Sequence, residues 1–458
     1  SAFYDSMKGK SIAFIGAGVS HKECIEIFVQ KGALVTLCDK KPLESFGEYG
    51  AQLKALGVSF SLGDDYLNGL AGKDLIMRTP GFEYYTPALQ AAKAAGSTVT
   101  SEMELFFALC PCKIIAVTGS DGKTTTTTLI AEMLRAAGET VHLGGNLGRA
   151  LLPVVADIAP TDWAVVELSS FQLISMRTSP DIAVVTNVTP NHLDHHKDMQ
   201  EYIDAKRNLL LYQKAGSKAV LGFENAITRE MESDVKGECY WFSRLSVLEK
   251  GAYLDADGML TLAEGGIKTP ILHKSEIALR GEHNIENLLA AMEAVRTLVP
   301  IETMAEVAKT FAGVAHRIEP VRLVNGVQYY NDSIATSPTR VIAGLRAFSQ
   351  KLIILAGGYD KNIPFEPLAP ALLAHVKLLI LTGPTADKIE AAVKAEAGYA
   401  ESGIAILHAA DLPEAVRLAH QAAKAGDIVS LSPACASFDA YPNFEARGEH
   451  YKALVNAL

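Results

Sequence analysis

Between Val117 and Thr125 the chain reads Val-Thr-Gly-Ser-Asp-Gly-Lys-Thr-Thr. Those residue types at that spacing suit a polyphosphate. Backbone N–H groups of Gly119, Ser120, Asp121, Gly122 and Thr125 can face phosphate oxygens at a helix N-terminus. Lys123 reaches the terminal phosphates, and the Thr124 hydroxyl can ligate magnesium. The loop is shorter than the usual G-x-x-x-x-G-K-[ST], because Val117 stands where the first glycine would be. A plain strand-to-helix turn would leave Lys123 and the threonines Thr124 to Thr128 without a purpose. Glu167, closing the apolar run Trp163 to Val166, is placed like a carboxylate that holds magnesium near such a loop, although a lone glutamate there could instead cap a helix. His192, His195 and His196 follow Asn187-Val-Thr-Pro. Three histidines suit a transition metal, but magnesium fits the loop better. His192, nearest the strand end, is retained as functional, and His195 and His196 are expected to be exposed. Lys206, in Gln200-Glu-Tyr-Ile-Asp-Ala-Lys, reads on its own as a solvated helix lysine.

These groups need an α/β framework to hold them. Lys10 to Ile15 and Leu34 to Cys38 read as strands flanking a helix from about Glu23 to Lys31. With Gly16-Ala-Gly18-Val19-Ser20 between and Asp39 after, they form the first βαβ unit of a doubly wound sheet. His21 occupies the place of the third fingerprint glycine, so a nucleotide diphosphate suits this turn better than a full dinucleotide. Arg78-Thr-Pro-Gly81 is a second such turn after the strand Leu75 to Met77. Apolar strands at Ile114 to Val117, Trp163 to Val166 and Ile182 to Val185 define a second module. It continues into short β runs between about Glu238 and Leu279 and helices from Asn284 and Thr303. A third module carries strands at Lys351 to Ala356, Leu378 to Leu381 and Ile428 to Leu431. The expected fold class is α/β in three domains. These are an N-terminal Rossmann-like domain (1–109), a central P-loop ATPase-like parallel-sheet domain with a small β appendage (110–313), and a C-terminal Rossmann-like domain (314–458).

Composition narrows the function. The chain has 458 residues, 49% hydrophobic and 21% charged, with ample material for several cores. A net charge of −10 argues against a nucleic-acid-binding surface. The six cysteines read as reduced core thiols, and Cys110-Pro-Cys112 is too cramped for a disulfide of ordinary geometry. No apolar run approaches a membrane span, and no charged-then-apolar leader is evident, so the expectation is a soluble cytoplasmic protein.

Taken in order, the segments resemble a known family. Gly119-Ser-Asp-Gly-Lys-Thr, Val166-Glu-Leu-Ser-Ser-Phe-Gln172, Asn187-Val-Thr-x-x-His192-Leu-Asp194 and Tyr202-x-x-Ala-Lys206 are similar to segments of the Mur ligases. Gly281-x-His-Asn-x-x-Asn287, His316-Arg317, Asn331-Asp-Ser333 and Leu431-Ser-Pro-Ala-Cys-Ala-Ser-Phe-Asp439 extend the match. Mur ligases are the ATP-dependent amide-bond-forming enzymes of peptidoglycan biosynthesis. Two segments, Glu167 to Gln172 and Ser432 to Ser437, look most like those of members that add D-glutamate to UDP-N-acetylmuramoyl-L-alanine.

The resemblance implies ATP and two magnesium ions, with an acyl phosphate as the activated carboxylate. Thr124 would hold the first ion; Glu167, His192 and Lys206 would hold the second, with Lys206 carbamylated so that it offers an anionic oxygen. Lys123, Glu167, His192 and Lys206 are thereby the catalytic set. Asn284 and Asn287 match adenine positions, and Arg317 and Asp332 complete the ATP site. Gly18, Val19, Ser20, Asp39 and Gly81 fall to the UDP portion of the substrate, and Asn146, Ser169 and Gln172 to its sugar and peptide. Lys361, Ser437, Phe438 and Phe444 match the D-glutamate pocket. A monomer is expected.

Two positions depart from the family pattern: Ile334 stands for a common lysine, and Asn191 for an aspartate. Nearby readings are a sister ligase with another amino acid or a folylpolyglutamate synthetase. More distant ones are a nucleotide-dependent dehydrogenase and a P-loop switch that makes no bond.

Overall fold

The computed structural model describes residues 2–146, 150–190, 196–279, 281–360 and 364–458, with the backbone alone at 19 and 343. The chain divides into two compact units, Ser1–Phe311 and Ala312–Leu458. Asn191, His192, His195 and Lys361 lie outside the described residues.

The first unit carries two sheets. One comprises β1 (Ser11–Ile15), β2 (Leu34–Asp39), β3 (Ser59–Leu62), β4 (Leu75–Arg78) and β5 (Thr98–Thr100), all parallel in the order β3-β2-β1-β4-β5. The order reverses beside β1, which makes the end of β1 a crevice for ligands. The helix after it begins at Val19, earlier than the pattern from Glu23 implied. Its first turn therefore abuts the Gly16–Gly18 loop.

The second sheet holds β6 (Lys113–Thr118), β7 (Val141–Gly145), β8 (Trp163–Glu167), β9 (Ile182–Val185), β10 (Lys218–Gly222), β11 (Glu238–Ser243), β12 (Gly251–Leu254), β13 (Met259–Glu264) and β14 (Ile267–His273). Their order is β14-β13-β12-β11-β10-β9-β6-β8-β7. Strands β6 to β12 pair in parallel, and β13 and β14 run antiparallel at the edge. The expected β appendage is thus an extension of the central sheet, hydrogen-bonded to it through β11.

Both faces of this sheet are covered, which explains its near-continuous apolar strands. Along β6, Ile114 and Ala116 face one core while Ile115 and Val117 face the other; Ala164 and Val166 alternate with Trp163 and Val165 along β8. The first of those cores also contains Ile12, Phe14, Leu37 and Met77 of the N-terminal sheet. Polar ties cross the same seam. Tyr4 OH donates to the Leu152 carbonyl at 3.0 Å, and Glu102 Oε1 accepts from the N–H groups of Leu151 and Leu152 at 2.9 and 2.8 Å. One shared core is the reason two sheets form one compact unit.

The second unit is built on β15 (Glu319–Val324), β16 (Val327–Asn331), β17 (Leu352–Gly357), β18 (Val376–Thr382), β19 (Ala405–His408) and β20 (Ile428–Leu431), ordered β15-β16-β20-β17-β18-β19. Only β15 is antiparallel in this sheet. No helix among the described residues is long and apolar enough to cross a membrane.

Burial raises the Glu102 carboxyl from its ordinary 4.5 to about 7, against the opposing pull of its two backbone donors. The folded chain therefore holds this proton more tightly than the unfolded chain. The stability so gained is complete below pH 4.5 and is lost as pH rises through about 7. Glu102→Gln keeps an oxygen acceptor without the charge. In urea melts it should be more stable than wild type at pH 8 by about 1–3 kcal/mol, the gap closing below pH 5. A gap independent of pH would show that the carboxyl does not titrate in the folded chain.

Candidate functional site

The loop between β6 and the helix Lys123–Ala136 has a backbone only glycine tolerates. Gly119 has φ 151° and Gly122 φ 79°. A Cβ on Gly119 would fall 1.8 Å from Thr186 Oγ1, and one on Gly122 would fall 2.2 Å from Asn287 Oδ1. The loop is gripped from the end of β9. Thr186 Oγ1 donates to the Asp121 carbonyl at 2.6 Å, Ser120 N–H to the Asn187 carbonyl at 2.8 Å, and Asp121 N–H to Asn187 Oδ1 at 2.9 Å. Lys123 Nζ folds onto the Ser120 carbonyl at 2.9 Å. Thr124 Oγ1 donates to Glu167 Oε2 at 2.7 Å, and Asn146 Nδ2 to Glu167 Oε1 at 2.9 Å. Glu167 is only 3% exposed. Thr124, Asn146 and Glu167, predicted from separate stretches of sequence, thus share one carboxylate. Thr126 and Asn284 both bond the Asn287 amide, which sits against the loop. Ser169 caps the turn Ser170–Leu173 through a reciprocal pair with Gln172.

Lys206 is 1% exposed, which overturns its reading as a solvated helix lysine. Its Nζ donates to the Gly119 carbonyl at 2.8 Å and lies 4.6 Å from the centre of the Tyr202 ring. Burial and then the nearby Lys123 charge push the Lys206 amine well below the usual lysine range. Tyr202 OH meets Ser120 Oγ at 3.0 Å, so the helix Met199–Leu211 supports the loop by two side chains one turn apart.

His196 is buried, contrary to the expectation of exposure. Its ring stacks on Phe171 with centroids 5.0 Å apart, Nε2 lies 2.8 Å from Ser170 Oγ, and Nδ1 lies 3.2 Å from Glu201 Oε2. A nearby cavity of about 1030 Å³ is lined by Arg78, Gly81, Tyr84, Phe171, His196 and Arg207, among others. Arg78 is 1% exposed. Its guanidinium donates to the Phe82 carbonyl at 3.0 Å, the Phe171 carbonyl at 2.9 Å and Ser175 Oγ at 3.0 Å, pinning the Gly81 loop to the segment that follows β8.

At the mouth of the first sheet, Gly16 has φ 81° and donates to the Cys38 carbonyl at 2.8 Å. His21, in place of the third glycine, is fully buried with Nδ1 2.8 Å from the Gly16 carbonyl and its ring edge-on to Phe14. Burial lowers its pKa to about 4, so it is a neutral packing group beneath the turn. Asp39 Oδ1 accepts from Lys41 N–H at 2.9 Å. Gly18 and Gly81 are exposed, and Ser20 is half-buried.

The second unit gathers its own set. Asp332 is buried, accepts from Ile318 N–H at 3.2 Å, and has its carboxyl raised by burial to about 7. Arg317, next to Ile318 in sequence, is exposed. Ser437 is buried, Phe444 half-buried and Phe438 exposed, its ring 5.9 Å from Tyr359. Arg447 was not foreseen. Its buried guanidinium donates to Ser333 Oγ at 3.0 Å and to the carbonyls of Ser333, Cys435 and Ala436 at 3.0, 3.1 and 3.1 Å. It thereby ties the segments bearing Asp332 and Ser437. In Phe444-Glu-Ala-Arg447-Gly nothing in the sequence sets it apart from a surface helix arginine, because its partners are one hydroxyl and backbone carbonyls.

The family model for the Mur ligase middle domain matches residues 117–295, and that for the Mur ligase glutamate ligase domain matches residues 316–435. The chain is 50% identical over 458 residues to UDP-N-acetylmuramoylalanine--D-glutamate ligase of Acetivibrio thermocellus, covering 100% of the chain and 98% of the relative. It is 46% identical over 456 residues to the enzyme of that name from Clostridium novyi, with 100% and 98% covered. Among solved structures, a UDP-N-acetylmuramate-alanine ligase from Thermotoga maritima aligns with TM-score 0.55 at 16% identity, covering 98% of this chain and 99% of that one. A murein peptide ligase from Psychrobacter arcticus aligns with TM-score 0.52 at 18% identity and the same coverage. At such identities the structures speak to fold alone.

The glycine geometry yields a direct test. Gly122→Ala forces a side chain into a left-handed backbone and against buried Asn287. Calorimetric titration with a non-hydrolysable ATP analogue should show affinity reduced at least about tenfold, or about 1.4 kcal/mol. The variant should also melt a few degrees below the wild type, so the titration is run at a temperature where both are folded. Unchanged affinity would mean that this loop does not grip the triphosphate.

Proposed function

The chain belongs to the Mur ligase family, and from that premise we propose that it joins D-glutamate to UDP-N-acetylmuramoyl-L-alanine at the expense of ATP. The observation that carries the reading is the convergence of Lys123, Thr124, Glu167 and Lys206 on one glycine loop in a chain half identical to D-glutamate ligases over its full length. In this reading residues 1–109 bind the UDP portion, 110–313 bind ATP, and 314–458 bind the amino acid. The chain works as a monomer in the cytoplasm.

A carboxylate is a poor electrophile, so the reaction must first convert one of its oxygens into a better leaving group. A carboxylate oxygen of the alanyl residue attacks the γ-phosphorus of ATP, and ADP departs. The D-glutamate amine then attacks the acyl carbon, phosphate leaves with the C–O electron pair, and the nitrogen loses a proton to give the amide. Two anions must approach each other in the first step, so fixed positive charge is required. Lys123 and the loop N–H groups supply it to the phosphates. The hydroxyl of Thr124 and the carboxylate of Glu167 are hard oxygen donors of the kind magnesium prefers, 2.7 Å apart. Bound magnesium would neutralise phosphate charge there. His192 is assigned to the second ion by resemblance.

Lys206 fits a carbamate for a physical reason. Only a neutral amine adds to carbon dioxide, and burial beside Lys123 favours the neutral form. The addition converts a cation, which cannot ligate a metal, into an oxygen anion that can. Asn284 and Asn287 belong to the adenine side of the site, and Arg317 and Asp332 are assigned to ATP by resemblance. Ser20, Asp39 and Gly81 hold the UDP portion, and Asn146, Ser169 and Gln172 the sugar and peptide. Ser437, Phe438, Phe444 and Lys361 receive D-glutamate.

Phosphate release from ATP with magnesium and UDP-N-acetylmuramoyl-L-alanine should depend on D-glutamate and not on L-glutamate, L-alanine or diamino acids, with the dipeptide product seen by mass. Release driven by another amino acid would keep the ligase and reject the pocket assignment. Lys206→Ala should lower turnover at least about a thousandfold, roughly 4 kcal/mol of barrier, and short-chain carboxylates should restore part of it. Undiminished turnover in that variant would remove the carbamate from the reaction.

A further inference from the structure

Cys110 and Cys112 sit where the N-terminal sheet hands over to the central one. The helix Glu102–Leu109 ends at Cys110, and β6 starts directly after Cys112. Both residues border the core the two sheets share. Pro111 between them is exposed, Cys110 is half-buried, and Cys112 is buried. Their sulfur atoms lie 3.5 Å apart, and Cys110 Sγ also lies 3.7 Å from the Cys112 carbonyl oxygen. Proline fixes the backbone between them, which holds the thiols together at little entropic cost.

We propose that Cys110 and Cys112 form a reversible dithiol–disulfide site that takes a hydroperoxide as oxidant. The half-buried Cys110 is the attacking sulfur and the buried Cys112 the resolving one. The hydrogen bond with Cys112 draws the Cys110 thiol below its ordinary range and raises Cys112. Burial pushes the other four the opposite way: Cys38 and Cys435 to about 11, Cys239 to about 12, and Cys24 well above the usual thiol range. In the first step the Cys110 thiolate attacks one peroxide oxygen, the O–O bond breaks, and the sulfur becomes a sulfenic acid as an alcohol or water leaves. In the second, Cys112 sulfur attacks Cys110 sulfur, the S–O bond breaks, and the hydroxyl departs as water with the Cys112 proton. Two thiols have lost two electrons to the peroxide, which is fully reduced. A bridge across a single residue is strained, and a strained disulfide is readily reduced. The site is therefore suited to cycling rather than to permanent cross-linking. It does not depend on the assigned ligase activity.

The test uses the full reduced chain with hydrogen peroxide. Intact mass should fall by about 2 Da, and peptide mapping should place the bridge at Cys110–Cys112, with glutathione restoring the thiols. Cys112→Ser should instead stop at a sulfenic acid on Cys110 that dimedone captures. Cys110→Ser should react no faster than the other four cysteines, three of them buried and Cys239 half-buried, react in the wild type. Thermal melts of both variants establish that they fold. No mass loss in the wild type, a bridge elsewhere or between chains, or a Cys110 that overoxidises without closing would each overturn the proposal.

Discussion

A positive charge cannot rest in a protein interior without a partner, and Lys206 has only neutral acceptors within hydrogen-bond reach among its described contacts. This constraint organises the central site. Lys206 Nζ is anchored on the Gly119 carbonyl, which belongs to the loop that must receive phosphate. Tyr202 packs on the amine and reaches Ser120 in the same loop. Thr186 and Asn187 hold the loop from the neighbouring strand. The loop and the lysine are therefore one structure. A change to either alters the electrostatics of the other, because Lys123 is among the causes of the depressed basicity at Lys206.

The framework was largely legible in the sequence because it is a covered parallel sheet. Apolar runs such as Ile114 to Val117 and Trp163 to Val166 are too short for buried helices and too continuous for strands with one wet face. Glycine with lysine between strand and helix marks a phosphate loop. Glu167 was also legible, since a carboxylate that closes an apolar strand must find a partner at the sheet's end, and it finds Thr124 and Asn146. The merging of β11 to β14 into the central sheet was not readable. Short alternating strands look alike whether they form a separate lobe or a sheet edge.

What escaped was set by distant partners. Lys206 and His196 look like solvent-facing polar residues until the elements that cover them, around Gly119 and Phe171, are placed. Arg78 and Arg447 bond mainly to backbone carbonyl oxygens, which any residue can supply, so no pattern of side chains announces their partners. His21 shows the opposite case. It spoils a glycine fingerprint, and it is held buried and uncharged with Nδ1 on the Gly16 carbonyl while Nε2 has no hydrogen-bond partner among the described residues.

The core shared by the first two sheets also bears on how the chain is made. Tyr4 bonds to Leu152, and the same core takes in Leu173, Tyr202 and Leu210. A chain emerging from the ribosome thus presents five strands whose apolar face has no complete cover until residues far downstream have been delivered. The N-terminal sheet is first in sequence but cannot be the first piece finished. Its strands must wait, incompletely covered, until the central module has been made.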